Sequence, residues 1–267
     1  MSKAVNAIID IRSLDELALK DSSVHRLNSV VKLMTTFIFI IIVTSFDRYS
    51  CMIMLPLIFY PVIVLTLSGI PLKSVLKKLL LIEPFIIFIG ILNPIFDKAP
   101  VIVGYAVVSQ GWVIFGSIIF KNILTVTAVT LLIATTGMNG IAAAMRKLKM
   151  PRLFVLQILL TYRYISVLLE EVSRILLAYS LRSKYRVKTG IKFKEWGSLI
   201  GQQLLRTFDR AQRVYTAMEI RGFKGEYVNP GCKKLKTADL IFLTGFTMFF
   251  IIVRCYNIPE MLGSIWG

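Results

Sequence analysis

Five blocks of this sequence are predominantly apolar over 14 to 25 residues: Leu33–Phe46, Met52–Leu67, Leu79–Phe96, Trp112–Thr136 and Ala238–Val253. Runs of this length and character predict membrane-crossing helices. The break Asp47-Arg48-Tyr49-Ser50 is only a turn long, so the first two blocks read as a membrane hairpin, with kinks expected at Pro56 and Pro61. Gly69-Ile70-Pro71 closes that hairpin, and the lysines at 73, 77 and 78 place the next loop on the cytoplasmic side. Glu83-Pro84 interrupts the third block, Asn93-Pro94 ends it, and residues 97–111 form an external loop. The fourth block opens on the interfacial aromatic Trp112 and stops at Gly137-Met138-Asn139-Gly140.

Between the fourth and fifth blocks the pattern changes period. Leu153–Leu169 holds about eleven strongly apolar side chains, offering about −3 to −6 kcal/mol towards insertion, against about +2.5 to +3.5 for Arg163 alone. Hydropathy leaves that stretch undecided, and parity decides it. A crossing there would put the very basic residues 182–236 outside, against the positive-inside bias. Pro151–Leu181 therefore reads as one helix of roughly 45 Å lying beneath or within the inner leaflet. Lys194–Ile220 reads as a second, with an apolar stripe through Leu199, Ile200, Leu204, Leu205, Phe208, Ala211, Val214 and Tyr215. The expectation is an all-α integral membrane protein with about five transmembrane helices and two long cytoplasmic helices. It divides as 1–136 (N-terminal segment and four spans), 137–236 (basic cytoplasmic region) and 237–267 (last span and C-terminus).

Composition sharpens this. The chain is 56% hydrophobic, with mean hydropathy +0.71, yet carries a formal charge of +17. Those facts coexist because the charge is segregated: residues 137–236 hold 20 Lys and Arg against six acids. Such a block beside membrane spans is a topology signal first and an attraction to anionic lipid second. No nucleic-acid-binding motif accompanies it, so nucleic acid is not an expected partner. Cys51, Cys232 and Cys255 show no metal or disulfide spacing, and His25 is the sole histidine. No G-x-x-x-x-G-K-[ST] phosphate loop is present. No cofactor, metal site or catalytic group is expected, and the acidic residue Glu83 reads as an interfacial carboxylate or, more sharply, as one lining an internal path.

The cytoplasmic region repeats a phrase. Ala178-Tyr179-Ser180-Leu181-Arg182-Ser183 and Ala217-Met218-Glu219-Ile220-Arg221-Gly222 each place an alanine one turn before an arginine, with Ser or Gly after it. An arginine at a helix C-terminus complements the macrodipole by about 0.3–1 kcal/mol, but capping alone predicts no matching between two helices. A small residue on the same face permits close approach by another surface, and the arginine projects beyond it to find a carboxylate. Two matched tips suggest two matched receptors.

These phrases, with Met150-Pro151-Arg152-Leu153-Phe154, Tyr162-Arg163-Tyr164, Glu170-Glu171 and the run from Arg210 to Gly225, resemble the transmembrane T component of energy-coupling factor (ECF) transporters, and most closely its cobalt/nickel branch, CbiQ. The resemblance implies a non-catalytic scaffold. Two ATPase subunits would engage the two helices through Arg182 and Arg221, with Ala178 and Ala217 allowing contact and Ser183 and Gly222 ending the helices. A separate substrate-binding S component in the membrane would select cobalt or nickel. Ser183 departs from the glycine common at its position, and Asn28-Ser29 stands where Asp-Pro is frequent. A vitamin-uptake T component shares these mechanics, and a lipid-modifying membrane enzyme is the alternative of another class. Glu83 and Glu170-Glu171 are a thin acid set for the latter.

Overall fold

The computed structural model describes residues 17–47, 53–97, 100–103, 106–182, 193–223, 225 and 235–255. Its helices are α1 (Ser23–Arg26), α2 (Ser29–Ser45), α3 (Phe59–Ser68, led in by a 3-10 turn at Leu55–Ile58), α4 (Leu72–Gly90), α5 (Leu92–Phe96), α6 (Gln110–Lys147), α7 (Arg152–Arg182), α8 (Phe193–Ile220) and α9 (Thr237–Cys255). The chain is an all-α, multi-pass membrane protein with one small addition, an antiparallel hairpin pairing β1 (Pro100–Val103) with β2 (Ala106–Ser109) in the loop after α5. Four stretches are long and apolar enough to cross a bilayer: Leu72–Phe96, Gln110–Lys147, Arg152–Arg182 and Thr237–Cys255. Ser29–Ser45 and Leu55–Ser68 are shorter apolar helices.

Several expected boundaries move, each for a local reason. Met52 lies outside the described residues, and the described part of the second apolar block is not helical at once. Helix begins at Leu55 as a 3-10 turn holding Pro56, and Pro61 falls in the first turn of α3, so the prolines start the helix instead of kinking it. Gly69, at φ 63°, stops α3 in the left-handed region. Helix α4 then starts directly after Pro71, so Lys73, Lys77 and Lys78 ride on its first turns and do not form a loop. Gly137 does break the fourth block, with φ 67° and ψ 162°, conformations open to glycine. The helix nevertheless resumes and runs to Lys147.

The chain groups into two compact units, residues 17–144 with 232–267, and residues 1–16 with 145–231. In the first, α2 is the centre. It runs parallel to α9 and antiparallel to α6, as the contacts at its two ends show. At its start, the Asn28 N–H donates to Asp239 Oδ1 at 2.8 Å and the Lys236 N–H donates to Asp239 Oδ2 at 2.8 Å, so one buried carboxylate serves the N-termini of α2 and α9 together. Asn28 is itself the cap of α2, its side chain accepting from the Val30 N–H at 3.0 Å. The departure from Asp at this position therefore keeps the capping function. Also near the start of α2, the buried Lys32 ammonium donates to the Thr135 carbonyl at 2.7 Å, one of the oxygens freed by the break at Gly137. At its end, Lys121 Nζ donates to the Phe46 carbonyl, and Arg254 reaches the Ser45 carbonyl at 3.4 Å while lying 5.0 Å over the Phe46 ring.

Between these polar ends the bundle is aromatic. Phe39 packs on Tyr60 at 4.7 Å and on Phe250 at 5.2 Å between ring centroids, and the Tyr60 hydroxyl pairs with Thr36 at 3.0 Å. Phe39 and Phe250 are both 0% exposed. Gly111 permits a second close approach. A Cβ there would lie 2.5 Å from the Asn93 carbonyl and 2.6 Å from Pro94 Cα, so the corner after α5 closes onto the start of α6 only through glycine.

Candidate functional site

The two helices that carry the repeated phrase, α7 and α8, belong to the second unit. Helix α7 starts where the Pro151 carbonyl accepts from the N–H groups of Phe154 and Val155 at 3.1 and 3.3 Å. It runs 31 residues to Arg182, and α8 runs 28 residues to Ile220. Both bounds lie within about two residues of those read from the apolar periodicity.

The helices meet as an antiparallel pair. Glu171 on α7 reaches Arg210 at 2.9 Å and Arg206 at 3.8 Å on α8, while Tyr179, further along α7, donates to Glu195, earlier on α8. The Glu171–Arg210 approach lies off the angle of a well-aligned hydrogen bond, so it acts chiefly as a Coulombic contact. Between these ties sits a cavity of about 360 Å³ lined by Val172, Ile175, Leu176, Trp196 and Leu199, into which Gln203 also faces. Both polar atoms of the Gln203 amide are buried there without a partner. The apolar stripe of α8 is largely uncovered: Ile200 and Leu204 at the cavity, and Leu205, Phe208 and Tyr215, are all exposed.

Ala178, Arg182, Ala217, Arg221 and Gly222 are exposed on these two helices, and Ser183 lies outside the described residues. The antiparallel pairing sends the tips to opposite ends of the contact. Ala178 lines a depression of about 830 Å³ between the two helices, with Arg174 and Arg182 on one wall and Leu205 and Arg206 on the other, and Ala217 lines one of about 500 Å³ on α8 alone, with Arg213 and Ile220. At the second tip the backbone explains the Arg-Gly order. The Gly222 N–H donates to Glu219 at 2.9 Å and the Phe223 N–H to Met218 at 3.0 Å, with Gly222 at φ 79°. This is a Schellman cap in which Arg221 is the C-cap residue and glycine takes the left-handed position.

The structure also brings out more of the repeat than the Ala-to-Arg phrase. Arg174-Ile175 and Arg213-Val214 stand at matching places one turn earlier, so each helix end reads Arg-(Ile/Val)-x-x-Ala-x-x-(Leu/Ile)-Arg. The signal was available in the sequence as a fixed offset between the two helices. The first depression joins Arg174 to the tip residue Arg182, and the second joins Arg213 to Ala217, one turn before Arg221.

Glu83 and His25, the titratable candidates of the first unit, each have a neighbour that holds them. Glu83 Oε1 accepts from Asn122 Nδ2 at 3.3 Å, and its Oε2 is buried without a partner. The neutral His25 ring fits its surroundings in one tautomer, with Nε2–H donating to the Leu17 carbonyl at 3.1 Å and Nδ1 paired with Ser22 Oγ at 2.7 Å. Burial pulls the His25 pKa below the usual imidazole range, and nearby Lys32 lowers it further, against the opposing effect of the Leu17 carbonyl. Among the described residues, no group of three or more His, Cys, Asp or Glu side chains is placed to hold a metal.

Residues 20–230 match the family described as CbiQ, cobalt transport protein. The chain belongs to that family. It is 26% identical over 246 residues to an energy-coupling factor transporter transmembrane protein EcfT of Ruminiclostridium cellulolyticum, covering 86% of this chain and 91% of the relative. It is 28% identical over 224 residues to the EcfT of Bacillus subtilis, covering 76% of this chain and 82% of the relative. A shorter match, 25% identical over 118 residues, joins 44% of this chain to 42% of the nickel permease LarQ of Lactiplantibacillus plantarum. Members so named are transmembrane components of transporters, which agrees with the helices described above.

Proposed function

We propose that this protein is the energy-coupling T subunit of an ECF-type importer, receiving ATPase motion through α7 and α8 and passing it to a substrate-binding S component in the membrane. The observation that carries the reading is the pair of exposed arginine tips, Arg182 and Arg221, each preceded at the same spacing by an alanine and a second arginine that line a depression. A cation at a helix end with a small residue behind it suits an acidic groove on a partner. Two such ends suit two similar ATPases. The exposed apolar face of α8 supports a chain completed by another surface, bilayer or protein. ATP hydrolysis in this reading belongs to the partners. The basic region 137–236 is cytoplasmic by the positive-inside bias, leaving 1–136 and 237–267 as the membrane portions.

For cargo, cobalt or nickel is the reading favoured by the family description and by the similarity to a nickel permease. Selection then falls to the S component. The relatives named EcfT carry no substrate in their names, which keeps a vitamin-uptake complex as the second reading. Co-purification with the ATPase subunits tests the coupling role. Truncating one partner of a buried interfacial charge pair costs about 2–5 kcal/mol. Arg182→Ala with Arg221→Ala should therefore abolish assembly and uptake while the protein still inserts. ATPase binding undiminished in that double variant would sink the assignment.

A further inference from the structure

The two arginine tips have a common reference point. Arg182 lies 11 residues beyond Glu171, and Arg221 lies 11 residues beyond Arg210. Glu171 and Arg210 are the pair in contact at 2.9 Å. On helices running in opposite directions, this places each tip about 16 Å from the contact, one on either side. Ala178 and Ala217 are likewise each seven residues beyond it, and Arg174 and Arg213 each three. In register, the ion pair is thus the point from which the two repeats run out equally in opposite directions, as about a two-fold axis, while the other contacts of the pair, Tyr179–Glu195 and the cavity, lie on the Arg182 side.

That location explains a break in the repetition. Around a two-fold axis, equivalent residues face one another. Arginine is repeated at 174/213 and 182/221, away from the axis, but at the axis the equivalent residues are Glu171 and Arg210. Two arginines there would repel, and two glutamates would repel equally. One of each attracts. Glu171 is sunk into the contact, with its side chain 14% exposed against 32% for Arg210, and it also neutralises Arg206 at 3.8 Å. Without its charge, Arg206 and Arg210 would remain, two cations one turn apart at the crossing with no carboxylate to hold them there.

We propose that Glu171 is a positioning residue of the coupling apparatus: its ion pair with Arg210 fixes the point about which the two arginine tips are held equidistant. Its importance for transport rests on the coupling role given above, but its geometric part does not. The test begins with the chain alone, in detergent or nanodiscs. Spin labels at Leu181→Cys and Ile220→Cys, equivalent exposed positions beside the tips, report the inter-tip distance once the native cysteines are replaced by serine. Glu171→Gln should broaden that distance distribution at least twofold, Glu171→Asp should restore part of its sharpness, and Asp209→Asn, a neighbouring exposed carboxylate, should leave it unchanged. Arg210→Gln gives the same reading should Glu171→Gln accumulate poorly. In the assembled transporter, Glu171→Gln should lower substrate accumulated per ATP hydrolysed several-fold while ATPase co-purification stays within about twofold. An unchanged distance distribution in both Glu171→Gln and Arg210→Gln overturns the proposal. So does a sharpness lost equally in Asp209→Asn. A wild-type chain that fails to bind ATPases overturns the coupling role and leaves the distance result standing.

Discussion

The bundle around α2 and the pair formed by α7 and α8 hold together by different means. In the bundle, carboxylate, ammonium and amide groups are buried and satisfied at the helix ends, and a cluster of rings fills the middle. In the pair, Glu171 between two arginines, a tyrosine–carboxylate bond and an apolar cavity make the junction, and none of the described side chains of α8 is buried. Buried polar groups with no alternative partner favour one arrangement strongly. In the pair, Glu171 pins one point, and its more exposed tie to Arg206 is of the kind that contributes about 0–1 kcal/mol. The bundle is built to stay put, and the pair is built to be completed by what it meets.

The sharpest way to break this contrast is to cut the same kind of side chain from each side. Phe39→Ala should destabilise the bundle by about 3–5 kcal/mol in thermal or denaturant unfolding. Phe208→Ala, on the exposed stripe of α8, should change the stability of the isolated chain by less than about 0.5 kcal/mol. Equal losses would erase the distinction. Asp239→Ala removes the acceptor of one buried and one part-buried N–H group and should cost about 2–4 kcal/mol. Arg206→Ala, by contrast, should cost under about 1 kcal/mol in the same assay. Gly222→Ala puts a Cβ into the left-handed position and should cost about 1 kcal/mol in helix stability near the tip, read as faster amide exchange over residues 218–223.

The smallest effect is pH-dependent. A histidine whose folded pKa is lowered binds fewer protons in the folded state than in the unfolded state. Its contribution is complete above the unfolded value of about 6.5 and is lost as pH falls from there through the lower folded value. The bundle should therefore unfold more readily as the medium is acidified below about 6.5, and His25→Gln should flatten that part of the profile.

The sequence made the long helices legible because α7 and α8 carry a period sustained over some 30 residues with Pro, Ser and Gly at their ends. It also showed the doubled tips, since identical residues recur at fixed spacing. What it hid were pairings across long separations. Nothing local to Asn28 points to Asp239, and nothing local to Lys32 points to the carbonyl of Thr135. Local competition hid the rest. Pro56 and Pro61 turned an expected kinked span into a short helix with a 3-10 lead, and Gly137 interrupted a helix that the following alanines and lysine could resume. Glu171 was visible as part of an acidic pair, but its partner on α8 could be named only once the direction of the two helices was known.

The carboxylate that joins α2 to α9 has a consequence for how the protein is made. The Asn28 N–H waits for an acceptor 211 residues downstream. At about 5–20 residues per second of synthesis, that is a delay of roughly 10–40 seconds. During it the first turn of α2 is unpaired to α9, while α7 and α8 emerge from the ribosome and are free to find each other. The first long helix described is thus fastened by the last.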